Sequence, residues 1–259
     1  MACSREIFRH VTAETLQDQD LKPFLWVFID QNLPQVIPDF QFWWEKAGLP
    51  YAVLLQEAGY STGSQLKQLL FFYYYVIPEL GVASDANGMP KNWKSFMTDD
   101  FSPIEFSWEW GPKYETPTVR FSIEPIGPHA GTLVDPLNRY ATTQLAHRYQ
   151  RLFPNCDLTL FDYFSDQLLS YEAFHGGIDK SGGKPGHDSR SFLAIDSSES
   201  GTMLKAYFIP TFKAIMLGRS TWDIIALAIQ KLPRILASRL PGFCQFTDLP
   251  DEPFPELRP

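Results

Sequence analysis

Long apolar runs are missing from this 259-residue chain, and nothing in it approaches the roughly 18 residues that mark a membrane-spanning helix. Positive charge is scarce. Lys and Arg number 22 against 30 Asp and Glu, giving a net charge of −8 and a sequence pI of about 5.1. No Lys/Arg cluster breaks that balance, so neither nucleic acid nor an anionic membrane is an expected partner, since both need concentrated positive charge. The stretch MACSREIFRHVTAETLQDQD has no apolar segment after its charges, and no secretory leader is expected there. Cysteines are few: Cys3, Cys156 and Cys244, far apart and odd in number. They suggest no disulfide framework or zinc site, and reduced thiols in a cytoplasmic protein are the expectation.

Familiar chemical signatures are missing as well. The histidines (His10, His129, His147, His175, His187) have no metal-ligand spacing. Neither a phosphate loop of the form GxxxxGK followed by Ser or Thr nor a GxGxxG fingerprint occurs, so nucleotide-binding folds lack support. Gly176, Gly177, Gly182, Gly183 and Lys184 have a phosphate-loop composition without its spacing and read as a flexible loop. The metal clamp DDxxD is absent too; Asp99-Asp100 runs into Phe-Ser-Pro and reads as loop. No metal site is expected.

Apolar residues are plentiful at 44%, enough for a substantial core. Aromatics reach 15%, with 21 Phe, 11 Tyr and 7 Trp. Core packing accounts for most of them, although Tyr and Trp also suit sites that hold flat ligands or cations. Helical spacing is predicted over Leu21 to Gln31, with breaks at Pro34 and Pro38, then around Pro50 to Ala58, ended by Gly59. Leu66, Leu69, Leu70 and Tyr73 predict a helix stopped by Pro78 and Gly81, and 82–101 reads as loop. The period then changes to two. Ile104, Phe106, Trp108 and Trp110 alternate with Glu105, Ser107 and Glu109; Val119, Phe121 and Ile123 alternate with Arg120, Ser122 and Glu124. These runs predict a hairpin joined by GPKYET. Helices from about Pro136 to Tyr149 and Leu158 to Ala173 follow, then the Gly-rich 175–190. A second hairpin is SFLAID, a turn at SSESG and TMLKAYFIP; a helix from about Thr211 to Gln230 carries an apolar stripe of Trp222, Ile225, Ala226 and Ile229.

The expected class is α+β, with two α-ββ-α units and antiparallel strands. Residues 1–232 form the folded part, and 233–259, with six prolines, a poorly ordered tail. One sheet face carries Glu105, Arg120, Glu124, Lys205 and Tyr207. It is either a solvated face, as in many half-exposed sheets, or the polar lumen of a curled barrel. In a lumen, Arg120, Lys205 and Tyr207 could receive an anion and Glu105 accept a proton.

Several segments resemble one family, the fungal aromatic prenyltransferases of the dimethylallyltryptophan synthase type. They are WWEKAGLPYAVLLQEAGY (43–60), LLFFYYYVIPELG (69–81), SPIEFSWEW (102–110), PTVRFSIEPIG (117–127), GTLVDPLN (131–138), DLTLFDYF (157–164) and LKAYFIP (204–210), in family order over about 40–215. The resemblance implies a ten-stranded antiparallel barrel ringed by helices and built from αββα units. It implies transfer of a prenyl group, usually from dimethylallyl diphosphate, to an electron-rich aromatic molecule, without cofactor or metal. By the same resemblance Glu105 bonds the acceptor's N–H or O–H. Arg120, Lys205 and Tyr207 hold the diphosphate, with the Tyr207 ring shielding the allylic cation. A pair between Glu124 and Arg120 is an equal possibility for Glu124.

Two departures shape the expectation. Indole-prenylating relatives often carry a basic residue on the strand before LKAYF; here Phe192 stands there, with Arg190 nearby, which leans toward a phenolic or polycyclic acceptor. Only about four of the ten strands are present, so the sequence reads as an N-terminal portion with an incomplete, open barrel. The chain alone is then expected to be poorly soluble or oligomeric, a homodimer included, with little or no transfer. The competing readings are an inactive paralogue or gene-model fragment, and a hydrolase using Glu105 and Glu124.

Overall fold

A computed structural model of the chain describes residues 22–33, 37–110, 116–135, 138–153, 155–169, 189–199 and 201–237. Helices α1 (Phe24–Asn32), α2 (Pro38–Trp43), α3 (Leu49–Glu57) and α4 (Thr62–Tyr75) come first. Strands β1 (Ile104–Glu109) and β2 (Thr118–Ile123) are next, then α5 (Arg139–Leu152) and α6 (Thr159–Leu169). Strands β3 (Ser191–Ser198) and β4 (Gly201–Phe208) precede α7 (Thr211–Leu217), α8 (Thr221–Gln230) and α9 (Arg234–Ala237). The α+β order thus matches the sequence reading. The expectations at Leu21, Pro34, Cys3, Cys244, His10, His175, His187, the hairpin connection 111–115, the Gly-rich stretch up to 188 and the tail beyond 237 lie outside the described residues.

Four local expectations need correction. Pro38 starts α2 instead of breaking a helix, because the first helical position needs no backbone N–H. A π-turn over Trp44–Gly48 then joins α2 to α3 almost without interruption. The helix expected over 211–230 is two helices. Gly218, at φ +61°, ends α7 in the left-handed region, and Ser220 and Asp223 form a capping box that starts α8. The buried positions of α8 are Ile224 and Ala228, while Trp222 is 75% exposed. Trp110, expected on the helix-facing side of the hairpin, lies past the end of β1 and is exposed.

Among the described residues the sheet has four strands in the order β1-β2-β3-β4 and is antiparallel throughout. One face packs on the helices. Phe106, Phe121, Tyr51 of α3 and Phe72 of α4 form an aromatic cluster with ring centroids 4.6 to 6.4 Å apart. Phe208 meets Phe161 of α6 on the same face. Buried hydrogen bonds add direction to this contact. The Tyr60 hydroxyl donates to the carbonyls of Ser197 and Pro117 and accepts from the Val119 N–H. The Tyr51 hydroxyl lies 2.8 Å from Ser197 Oγ, which donates to Gln68. Burial pushes the Tyr51 phenol well above its usual range, so this hydroxyl stays protonated and available as a donor.

The connection from α4 to β1 has no regular structure over most of its length, but it is anchored. Glu124, just past β2 and fully buried, accepts hydrogen bonds from Trp93 Nε1 (2.6 Å), Ser95 Oγ (2.5 Å) and the Phe96 N–H (3.3 Å). The loop is thereby held over the end of β2. Burial raises the Glu124 carboxyl above the usual glutamate range, against the opposing pull of its bonds from Ser189, Ser95, Trp93 and Phe96. Among the described residues no three His, Cys, Asp or Glu are grouped to hold a metal ion, and no helix is long and apolar enough to cross a membrane.

This packing sets two expected outcomes for stability. Phe121→Ala removes a fully buried ring that packs against three others and should cost about 3–5 kcal/mol in urea unfolding; a loss under about 1 kcal/mol would mean that the aromatic cluster is not the core contact. For Glu124 the folded pKa lies above the unfolded one, so its contribution is greatest below the unfolded pKa and falls as pH rises through the folded value. The stability of the wild type minus that of Glu124→Gln should therefore decline from about pH 4 upward and then level off. A difference that rises with pH would contradict the burial argument.

Candidate functional site

Side-chain direction is set by strand register. Residues paired across an antiparallel ladder point to the same side, and neighbours along a strand alternate. Glu105 pairs with Ser122, Ser122 with Ala194 and Ala194 with Lys205, which makes one row across the sheet. Ser107, Arg120, Asp196 and Met203 make the next row. Phe192 and Tyr207 pair on the other side of the first row. Glu105, Arg120, Phe192, Lys205 and Tyr207 therefore share the face turned away from the helices.

The first row has a simple shape. Glu105 stands at one end on β1 and Lys205 at the other on β4, about 14 Å apart at the backbone for three strand spacings. Between them lie only Ser122 and Ala194, so the floor is low. Charged side chains flank this trough on one side and aromatic rings on the other.

The charged flank is an ion-pair cluster. Arg120 sends Nε to Asp196 Oδ1 at 2.5 Å and Nη2 to Asp196 Oδ2 at 2.9 Å. The same Nη2 lies 2.6 Å from Glu109 Oε2. Lys205 Nζ closes the group at 2.6 Å from Asp196 Oδ2. Bidentate guanidinium–carboxylate geometry fixes the plane of the Arg120 head. Asp196 is the most enclosed of the four, its side chain 10% exposed. Burial alone would raise its carboxyl, but the bonds from Arg120 and Lys205 outweigh that and hold it below the usual aspartate range. Arg120 is raised in turn, chiefly by its bond to Asp196. Both stay ionised across the physiological range.

The aromatic flank is a stack. Phe192 and Tyr207 lie 4.5 Å apart at an interplanar angle of 3°, and Phe96 of the anchored loop meets Phe192 edge-on at 5.9 Å. One face of the Tyr207 ring is covered by Phe192, and the residue as a whole remains exposed. Glu105 is exposed and its side chain has no hydrogen-bond partner among the described residues, so its carboxylate is available to a ligand. Arg190, just before β3, lies against the ring of Phe212 with its guanidinium carbon 4.9 Å from the centroid.

Two findings depart from the sequence reading. Glu124 does not pair with Arg120; it is buried with the 93–96 loop, and Glu109 and Asp196 take Arg120 instead. Asp196, central to the cluster, is missed by sequence reasoning. It stands inside an apolar run, SFLAID, and its partners lie on two other strands, so only the register reveals it. Its one signal in the sequence is position: an acidic residue at a period-two position with Phe192.

The profile of a family described as tryptophan dimethylallyltransferase matches residues 39–254. Prenyltransferase fogH of Aspergillus ruber is 38% identical over 187 residues, which are 71% of this chain and 42% of that protein. The 4-O-dimethylallyl-L-tyrosine synthase of Claviceps purpurea is 34% identical, over 74% of this chain and 42% of its own length. Xanthone prenyltransferase B of Emericella nidulans is 35% identical, over 71% of this chain and 40% of its own length. Among solved structures, AnaPT from Neosartorya fischeri superposes with a TM-score of 0.69 at 28% identity, covering 83% of this chain and 56% of that one. The chain spans about two-fifths of the length of the curated relatives it matches. With the profile matched over most of its residues, the chain belongs to the tryptophan dimethylallyltransferase family.

Proposed function

We propose that this chain carries part of the reaction surface of a metal-independent aromatic prenyl transferase, with dimethylallyl diphosphate as donor and an electron-rich aromatic molecule as acceptor. The observation that carries the reading is the shared polar face: an available carboxylate at one end of a shallow trough, a lysine and a tyrosine at the other, and an arginine on the flank between them. Lys205 and Arg120 neutralise the diphosphate as the allylic C–O bond breaks and the electron pair leaves with it. No metal is needed if those cations supply the charge. The ring face of Tyr207 stabilises the allylic cation, and electrostatic stabilisation of the departing group drives ionisation. Glu105 accepts a hydrogen bond from the acceptor's N–H or O–H, raising electron density in the ring. A ring carbon then bonds the allylic carbon, and the ring's proton passes to the released diphosphate.

Phe192 supports a phenolic or polycyclic acceptor. Stacked on Tyr207, it makes that flank of the trough an aromatic wall without a basic group. The relatives are named for xanthone, tyrosine and tryptophan substrates alike, so this preference rests on Phe192. NotF, whose structure was solved with brevianamide F and DMSPP, shares the fold at 24% identity.

Among the described residues the sheet ends at β1 on one side and β4 on the other, which supports an open version of the barrel. An allylic cation must be kept from water, and an open trough does this poorly. The reading therefore separates binding from turnover. The 259-residue chain should bind inorganic pyrophosphate in calorimetric titration, and Lys205→Ala should weaken that binding at least about tenfold. Incubated with dimethylallyl diphosphate and tyrosine, tryptophan or xanthone, the chain alone should give little or no prenylated product. Pyrophosphate binding that ignores Lys205 would refute the site. Rapid turnover by a monomer would refute the open-trough argument.

A further inference from the structure

Both cations of the proposed site are already engaged. Arg120 is held by Asp196 and Glu109, and Lys205 by Asp196. Two positive and two negative side chains cancel, so the cluster attracts a distant anion weakly. An arriving anion must displace the Asp196 carboxylate from Lys205 while standing beside it. The carboxylate cannot easily retreat, because Arg120 grips both of its oxygens.

That geometry discriminates between anions. A single phosphate group can reach Lys205, but it brings less charge than a diphosphate with which to replace the Asp196 carboxylate that it faces. A diphosphate brings two linked groups and more charge. Lys205 Nζ and Arg120 Nη2 both bond Asp196 Oδ2, so they stand no farther apart than those two bonds laid end to end. A diphosphate can offer one phosphoryl group to Lys205 and the other to Nη1 of Arg120, since Nε and Nη2 are already bonded to Asp196 and Glu109.

Resting on the proposed function, we infer that Asp196 is a specificity-determining residue: a resident carboxylate that reserves Lys205 and Arg120 for diphosphate groups and turns away single phosphates. It acts through the two cations and is a positioning residue, not a catalytic one. The two bonds from Arg120 to Asp196 pre-set the guanidinium plane, so Arg120 needs little ordering when a diphosphate binds.

The test is separate titration of inorganic pyrophosphate and orthophosphate into the full chain, for wild type, Asp196→Asn, Asp196→Ser and Lys205→Ala, with circular dichroism to confirm folding. Wild type should prefer pyrophosphate by at least about tenfold. In Asp196→Asn the affinity for orthophosphate should rise by at least about tenfold, and the preference should shrink toward parity. Asp196→Ser, smaller and neutral, should do the same if the asparagine variant fails to fold. Equal binding of the two anions by wild type overturns the inference without recourse to any variant. So does a neutral variant that keeps the wild-type preference or weakens both anions alike, since either marks Asp196 as merely structural. Lys205→Ala separates the two levels. If it binds pyrophosphate like wild type, the site itself is wrong; if it loses binding while Asp196→Asn keeps the preference, only the role of Asp196 falls.

Discussion

The period-two commitment of the four strands is the constraint on which the rest depends. Once Phe106 and Phe121 are locked against Tyr51 and Phe72, every second residue of β1 and β2 must face away from the helices. Pairing carries the same phase to β3 and β4. A slip of one residue would bury Arg120 and Lys205 among aromatic rings and expose Val119 and Phe121, at a cost no local change could offset. The helix-side packing is therefore what assembles the polar face. No residue of that face needs to be held individually for Glu105 and Lys205 to share a row.

Charge on this face is balanced internally instead of being left for a ligand. A half-buried guanidinium and ammonium next to two carboxylates avoid the large desolvation cost that isolated cations would carry. The cluster therefore contributes to the fold and constrains the ligand at once. Any anion that binds must exchange one set of charge-assisted bonds for another, so net affinity depends on the quality of the replacement and not on the raw count of positive charges. The aromatic flank obeys different rules. The Phe192–Tyr207 stack is held by area and ring electrostatics, and the Glu124 clasp fixes the loop that delivers Phe96 to it.

Much of this is legible in the sequence. The strands announce themselves by alternation, and the shared direction of Glu105, Arg120, Lys205 and Tyr207 comes from phase alone. Local punctuation is harder. Pro38 reads as a break, yet it starts α2, and Phe40, Trp43 and Trp44 beyond it pack into the core. Gly218 lies within a helical pattern whose break needs the left-handed backbone and the Ser220–Asp223 box together. The expected stripe of Trp222, Ile225, Ala226 and Ile229 lies wholly within α8, yet the helix turns Ile224 and Ala228 inward and leaves Trp222 exposed. Long-range polar partners are not legible at all. Glu124 reaches back to Trp93 and Ser95, and Asp196 bonds a residue 76 positions earlier and another on the next strand. Such pairs are set by register and loop path, which composition and spacing do not encode.

The central claim is that the face turned away from the helices receives a prenyl diphosphate. The most direct measurement is a crystal structure of the chain soaked with a non-hydrolysable dimethylallyl diphosphate analogue. The account predicts diphosphate oxygens bonded to Lys205 Nζ and the Arg120 guanidinium, with the allylic carbons beside the Tyr207 ring and above Ser122 and Ala194. A diphosphate bound elsewhere, with the Asp196–Arg120–Lys205 cluster undisturbed, would contradict it.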